Sequence, residues 1–256
     1  MNNNYRIITS LANQEIKDVV SLQNNKGRSI HKRFIAQGIR TIRTFIDAGW
    51  SPIALYIVHD HIEKTLKQFS DLKSISNQNI ILVTAHIMEK ISATTTPTSI
   101  LAVFSIPEQL TPDNIDSGIV CAQLQDPGNL GTLIRTVAAV GKKTVICIEG
   151  ADPWQPKVIQ ASAGTIALVH IYKLSWDNLK EIAQKNNISL CALVVTGGKP
   201  PSELNLSKSL LIIGSEAHGL PEPWISQCNQ KLTLPMPGKT ESLNAAVAGS
   251  IALYMA

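Results

Sequence analysis

Three short stretches place polar side chains where packing alone would not ask for them. The first is Gln125-Asp126-Pro127-Gly128-Asn129-Leu130-Gly131-Thr132-Leu133-Ile134-Arg135, which leaves an apolar run, turns through Pro and Gly, and enters a helix. Leu130, Leu133, Ile134 and Val137 share one helical face, so Thr132 and Arg135 project elsewhere and set a cation near the turn. On spacing alone Arg135 is as good a structural ion-pair partner as a site residue. The second stretch, Ile213-Gly214-Ser215-Glu216-Ala217-His218-Gly219-Leu220, ends a strand in Gly-x-Glu-x-x-Gly, where glycines allow close backbone approach. Glu216 there can bond a ligand, brace Arg135 or cap the next turn. His218 has no nucleophile to serve and reads as loop polarity. The third stretch runs from Leu234-Pro235-Met236-Pro237-Gly238 to Ser242-Leu243-Asn244 and an apolar small-residue helix. Ser242 is the expected N-cap, which puts Asn244 inside the first turn, a poor place for it unless it serves a site.

These stretches need a sheet to bring them together. Candidate strands at 119–124, 143–149, 166–171, 188–195, 209–213 and 231–234 alternate with helices at 130–140, 176–186 and 243–254, with turns near 156–162 and 221–226. Near-continuous Val/Ile/Leu strands alternating with helices imply a mostly parallel, two-sided sheet. Ligands of such sheets bind at the strand carboxyl ends, where all three stretches fall. Val194-Val195-Thr196-Gly197-Gly198 is a fourth strand end, usable by a ligand or merely a turn.

Upstream, residues 5–24 read as a helical arm with Leu11, Ile16, Val19 and Val20 in register. A helix is expected over 31–48, closed by Gly49, then strands at 54–58, 80–83 and 100–104 with a polar helix near 60–70. The expected layout is an arm (1–24), a small α/β domain (25–105), a linker (106–117) and the larger α/β domain (118–256).

Of the 256 residues 44% are apolar, enough for a substantial core. Residues 1–104 carry 12 Lys/Arg against 7 Asp/Glu, whereas 105–256 carry 11 against 12, so the positive excess lies wholly in the first part. It gathers in Lys26, Arg28, Lys32, Arg33, Arg40 and Arg43, with no acidic residue between Asp18 and Asp47. Such a field suits a polyanion, and equally a solvated basic helix face. Cys121, Cys147, Cys191 and Cys228 are widely spaced without a C-x-x-C pair, so they read as buried apolar residues of a reducing compartment, with no metal site. The first residues hold no apolar signal core, and no segment approaches the roughly 18–20 apolar residues of a membrane span. A soluble, cytoplasmic protein is expected. The turn at 126–131 lacks G-x-G-x-x-G, which argues against a nicotinamide enzyme.

Asn129-x-Gly131-x-x-x-Arg135, Gly214-x-Glu216-x-x-Gly219-Leu220 and Leu234-Pro235-Met236…Ser242-Leu243-Asn244-x-x-x-Ala248 resemble, in order and spacing, motifs one to three of the SpoU/TrmH branch of the SPOUT RNA methyltransferases. Ala161-Ser162-Ala163-Gly164 is similar to the family's segment between motifs one and two. Ile7-Thr9-Ser10 and Arg33-Phe34-Ile35-Ala36-Gln37-Gly38 resemble its N-terminal arm and ribosomal-protein-like substrate-binding domain, with departures at Gln37 and Ser99, where many relatives carry Glu and Gly.

The resemblance implies methyl transfer from S-adenosylmethionine to a ribose 2′-hydroxyl, with 23S rRNA the expected substrate. It implies a parallel sheet whose C-terminal segment threads a deep trefoil knot, an exception to the un-knotted rule. Carried over by position, cofactor contacts fall at Thr196, Gly197, Gly214, Leu234, Met236, Ser242 and Leu243. Catalytic parts fall to Arg135, with Asn129, Glu216, Ser242 and Asn244 orienting it and the ribose. The resemblance gives Arg135 the task of taking the hydroxyl proton; because guanidinium donates without accepting, stabilising an alkoxide or holding the adjacent phosphate is the alternative. Lys26, Arg28, Lys32, Arg33, Arg40 and Arg43 would grip structured RNA, while DNA and membranes are not expected partners. The family also implies a homodimer, and Ala245, Ala248, Gly249 and Ala252 offer a small-residue face for it or for packing inside the chain. The alternatives are a tRNA 2′-O-methyltransferase and a non-catalytic RNA-binding or ribosome-assembly protein on the same fold.

Overall fold

A computed structural model describes residues 5–69, 79–94, 96–113, 115–238 and 240–256. Residues 1–4 of the expected arm, residue 70 of the expected polar helix, Asn114 of the linker and Lys239 of the last loop lie outside the described residues. The first half of the chain runs β1 (Arg6–Ile8), α1 (Gln14–Ser21), α2 (Asn25–His31), β2 (Arg33–Gln37), α3 (Ile39–Asp47), β3 (Ala54–Val58), α4 (Ile62–Lys67), β4 (Ile80–Val83), α5 (Ala85–Ile91) and β5 (Ile100–Ser105). The second half runs β6 (Gly118–Ala122), α6 (Pro127–Ala139), β7 (Thr144–Ile148), α7 (Pro156–Ala161), β8 (His170–Lys173), α8 (Trp176–Lys185), β9 (Ser189–Leu193), β10 (Ser209–Ile213), α9 (Glu222–Ile225), β11 (Gln230–Leu232) and α10 (Ala245–Met255). Two compact units result: Met1–Glu108 with Trp154–Ala167, and Gln109–Pro153 with Leu168–Ala256.

The first unit carries a five-stranded mixed sheet in the order β1-β4-β3-β5-β2. One face packs Ile35, Tyr56, Ile81, Leu101 and Val103 against Ile16 and Val19 of α1 and Ile87, Met88 and Ile91 of α5. The other face is aromatic: Phe34 lies 5.3 Å from Phe45, 5.7 Å from Phe104 and 5.1 Å from Trp154, ring centre to ring centre. Trp154 and α7 thus join this unit, although the sequence reading places them in the larger domain.

Two expected helices differ from the structure. Within the arm, Arg6–Ile8 forms an edge strand parallel to β4, and the helix begins only after Asn13, whose side chain accepts from the Glu15 N–H. The expected helix over 31–48 divides into β2 and α3. Phe34, Ile35, Phe45 and Ile46 fit a helical period, but Lys32 at φ 52° and Gly38 at φ 79° break it on either side of the strand. Alternation then sends Phe34 and Ile35 to opposite faces, so both are buried. The periodicity reading also misses α5, capped by Thr84. It starts β8 four residues early, because 165–168 form a 3-10 turn.

The second unit is an all-parallel six-stranded sheet in the order β11-β9-β10-β6-β7-β8. One face buries Val120, Ile146, Leu190 and Ile212 beneath Trp176, Leu179 and Ala183 of α8. The opposite face receives α6, whose Leu130, Leu133, Ile134 and Val137 are buried, each contributing about 1.5–3 kcal/mol. Helix α10 lies against α6 and β10. A Cβ on Gly249 would come within 2.7 Å of Leu133 Cδ2 and 3.2 Å of Ile213, so Gly249, with buried Ala252, packs inside the chain, while Ala245 and Ala248 are only half-buried.

Candidate active site

Helix α6 starts where the first polar stretch ends. Asp126 is its N-cap, accepting from the Asn129 N–H at 2.8 Å, and Pro127 occupies the first turn, where its missing N–H costs nothing. This fixes Asn129 on the open end of the helix, above the carboxyl end of β6. The loop after β10 closes on itself through paired Ser215 and Gly219 backbone bonds, 3.1 and 2.9 Å. A Cβ on Gly214 would collide with the Gly219 and Leu220 backbone, which is why glycine stands there.

That closed loop aims Glu216 at the start of α6. Its Oε1 accepts from Asn129 Nδ2 (2.9 Å) and the Asp126 N–H (3.2 Å), and Oε2 accepts from the Gln125 N–H (3.3 Å). Asn129 Oδ1 in turn accepts from Asn244 Nδ2 at 3.1 Å. The three polar stretches therefore meet in one chain of hydrogen bonds, Glu216–Asn129–Asn244. Partial burial pushes the Glu216 carboxyl up, but the Asn129 amide and the backbone N–H groups of Glu216, Asp126 and Gln125 outweigh it and hold it below the usual glutamate value.

Two sequence expectations change here. Asn244, and not Ser242, is the N-cap of α10: its Oδ1 accepts from the Ala246 and Val247 N–H groups at 2.9 and 3.2 Å. Glu216 does not brace Arg135: no ion pair or hydrogen bond joins them, and its oxygens accept from Asn129 and the backbone instead. Arg135 stands exposed on α6, with no bonding partner among the described residues, beside an open groove shared with Ile251, Tyr254 and Met255 of α10.

Next to the hydrogen-bond chain lies a cavity of about 410 Å³. Val194 and Val195 after β9, the loop 214–219 after β10, Leu234, Met236 and residues 241–245 wall it. Of the residues expected to touch a cofactor, Gly214, Leu234, Met236, Ser242 and Leu243 line it, whereas Thr196 and Gly197 lie exposed just beyond. An apolar wall interrupted by bare backbone and a few polar side chains suits a nucleoside-bearing cofactor. Sequence reasoning passed over Glu241, which also lines the cavity; no spacing marks it. It also passed over Asp126, although the Asp-Pro pair ahead of an apolar period is a readable helix start.

Nucleophilic thiol chemistry has no place here. Burial pushes the Cys147 and Cys191 thiols up to about 12 and Cys228 to about 11, and raises Cys121 as well.

The basic cluster of the first unit divides. Lys26, Lys32, Arg33 and Arg40 are exposed and Arg43 is half-buried, donating to the Gln68 carbonyl at 3.0 Å. Arg28 is a correction: it is 4% exposed, and its guanidinium donates to the Leu22 and Gln23 carbonyls at 3.0 and 3.1 Å. It therefore satisfies orphan carbonyls at the end of α1 and does not face solvent as a phosphate contact.

A doubly covered parallel sheet with a cavity at its strand ends is the architecture in which α/β proteins take a nucleoside-type ligand. Residues 117–254 match the model of the SpoU rRNA Methylase family, and residues 13–102 match the MRM3-like substrate binding domain. The chain belongs to the SpoU rRNA Methylase family and is an RNA methyltransferase. It is 28% identical to an uncharacterized tRNA/rRNA methyltransferase of Synechocystis, covering 97% of this chain and 92% of that one. It is 28% identical to the 23S rRNA (guanosine(2553)-2′-O)-methyltransferase RlmP of Bacillus subtilis, covering 96% and 97%. Its fold is shared with the AdoMet-bound rRNA methyltransferase of Sinorhizobium meliloti, with a TM-score of 0.83, 22% identity and coverage of 98% and 97%.

Proposed function

We propose that this protein transfers a methyl group from S-adenosylmethionine to a ribose 2′-hydroxyl of 23S rRNA. The observation that carries the reading is the cavity at the strand ends with the Glu216–Asn129–Asn244 chain beside it. When bound, the cofactor supplies an electrophilic methyl group. The loops at 194–195, 214–219 and 234–243 would hold it, largely through backbone and apolar contact. A C-terminal segment threaded as a deep trefoil knot belongs to the same reading.

The chain's own part is alignment, which can supply several kcal/mol in an in-line displacement. The asparagine–glutamate chain fixes the starts of α6 and α10 and the loop after β10 relative to each other, so the ribose would meet a wall that does not shift. Arg135, exposed and without a bonding partner among the described residues, is suited to hold the neighbouring phosphate or to stabilise negative charge building on the 2′-oxygen. Deprotonation falls to another group or to water, since guanidinium accepts no proton. Lys26, Lys32, Arg33 and Arg40 would grip RNA phosphates with a steep salt dependence.

The reading includes a homodimer in the cytoplasm. Val247 (46% exposed), Ile251, Tyr254 (83%) and Met255 (55%) leave the outer face of α10 apolar, and Arg135 borders it. A second copy would cover that face. Among the described residues no helix is long and apolar enough to cross a membrane.

The deciding experiment incubates the protein with labelled S-adenosylmethionine and ribosomal RNA from a strain lacking its gene, then maps ribose methylation. One modified ribose in 23S rRNA is the expected outcome. Methylation confined to tRNA, or none with binding retained, would replace the reading with one of its alternatives.

A further inference from the structure

The cavity wall holds two carboxylates, and the fold uses only one. Glu216 has both oxygens occupied by Asn129, Asp126 and Gln125. Glu241 is exposed on the same wall, and its carboxylate has no partner among the described residues. The third titratable side chain there, His218, carries no negative charge. Glu241 is therefore the unengaged anion among the described lining residues.

We propose that Glu241 accepts a hydrogen bond from the ammonium group at the methionine end of S-adenosylmethionine, and so distinguishes adenosyl ligands that carry an amino-acid tail from those that lack it. This rests on the cofactor reading above. An ammonium group brings three N–H donors and a full charge, and an apolar wall can satisfy neither. Backbone carbonyls offer acceptors without the charge. Glu216 is held by three donors that aim its carboxylate at the start of α6, whereas the Glu241 carboxylate is held by none among the described residues. Glu241 directly precedes Ser242 and Leu243, which line the same wall, so the loop that closes the cavity also delivers the anion.

Calorimetry with two ligands tests this. S-adenosylhomocysteine keeps the ammonium and carboxylate but has no sulfonium charge, so an effect on it comes from the tail alone. 5′-Methylthioadenosine has no tail. Glu241→Gln, on an exposed loop, is expected to weaken S-adenosylhomocysteine about 3- to 10-fold, the range of an exposed charge-assisted hydrogen bond, and to leave methylthioadenosine unchanged. The difference should shrink as salt rises. Unchanged S-adenosylhomocysteine binding, or an equal loss for both ligands, overturns the assignment. If the wild-type protein binds neither ligand, the cofactor reading itself fails, an outcome visible before any variant is made.

Discussion

Asn244 performs two separable tasks, and two substitutions at that position should pull them apart. Asn244→Ala removes the Oδ1 that accepts from the Ala246 and Val247 N–H groups, leaving the start of α10 uncapped. Loss of such a cap costs about 0.5–2 kcal/mol, and in a chain of this size each kcal/mol lowers Tm by roughly 2–4 °C. Asn244→Asp keeps an acceptor at the cap and adds a negative charge at the positive end of the helix, which offsets part of the lost bond to Asn129, so it should melt above Asn244→Ala. That aspartate has no N–H to give Asn129 Oδ1, however. Asn129 can regain a partner only by turning its own carbonyl toward Glu216, which sets oxygen against oxygen. A lost hydrogen bond of about 0.5–1.5 kcal/mol, felt in the transition state, translates to a rate lower by about 2- to 13-fold. Urea and thermal denaturation of both variants, run beside methyl transfer to RNA, read the two effects separately. If Asn244→Asp melts as low as Asn244→Ala, the capping assignment is wrong. If it retains the full rate, the hydrogen-bond chain has no part in the reaction.

Glu216 titrates lower in the folded protein than in the unfolded chain, so its stabilisation is complete above the ordinary glutamate range and disappears as pH falls through its lower folded value. Denaturation across an acid pH series should show Glu216→Gln lacking that part of the acid-side loss; parallel curves for the two proteins would contradict it. Arg28→Ala should destabilise the protein by at least about 1.5–3 kcal/mol, because it strips charge-assisted bonds from the buried Leu22 and Gln23 carbonyls. Arg33→Ala, exposed, should leave the melting curve nearly unchanged yet weaken binding to rRNA and flatten its salt slope; the reverse pattern would reassign both arginines. Trp154→Ala should cost about 3–5 kcal/mol, since the ring is buried against Phe34 and Trp50, and a urea midpoint near wild type would show that the aromatic face tolerates the void.

The inner strands of the larger sheet, β6, β7 and β10, were legible because they are buried on both faces and read as unbroken apolar runs, whereas the edge strand β8 carries exposed polar residues and was placed early. The first unit was less so. Residues 31–48 have apolar side chains at spacings that satisfy a helix, and nothing local reveals that Lys32 takes a left-handed conformation. Phe34 and Ile35 are adjacent, so a two-sided sheet buries both, while a helix buries only the face they happen to share. Among the site residues, the glycines and the Asp-Pro turn declare their backbone roles. Partnerships across 87 and 115 residues of sequence, Glu216 with Asn129 and Asn129 with Asn244, do not. Arg28 shows the same gap from the other side. Composition placed it in a basic patch, and only the packed end of α1 reveals that its charge is turned inward.

The identity of the residue at 244 follows from the two bonds it must make at once. Serine, threonine and aspartate all cap helices well, because each offers an oxygen to the first-turn N–H groups. None of them supplies that oxygen together with an amide N–H₂ group. Asparagine does both: Oδ1 caps α10 while Nδ2 reaches Asn129. Asn129 is held by the same logic, with Oδ1 accepting from Asn244, Nδ2 donating to Glu216 and its backbone N–H taken by Asp126. Aspartate at 129 would lose the donor to Glu216 and add a like charge beside it. The start of one helix thus fixes the start of the other through a single file of amides, ending on a carboxylate kept ionised by its donors. The polar Asn at the mouth of an apolar helix is explained by that linkage, which neither helix requires alone.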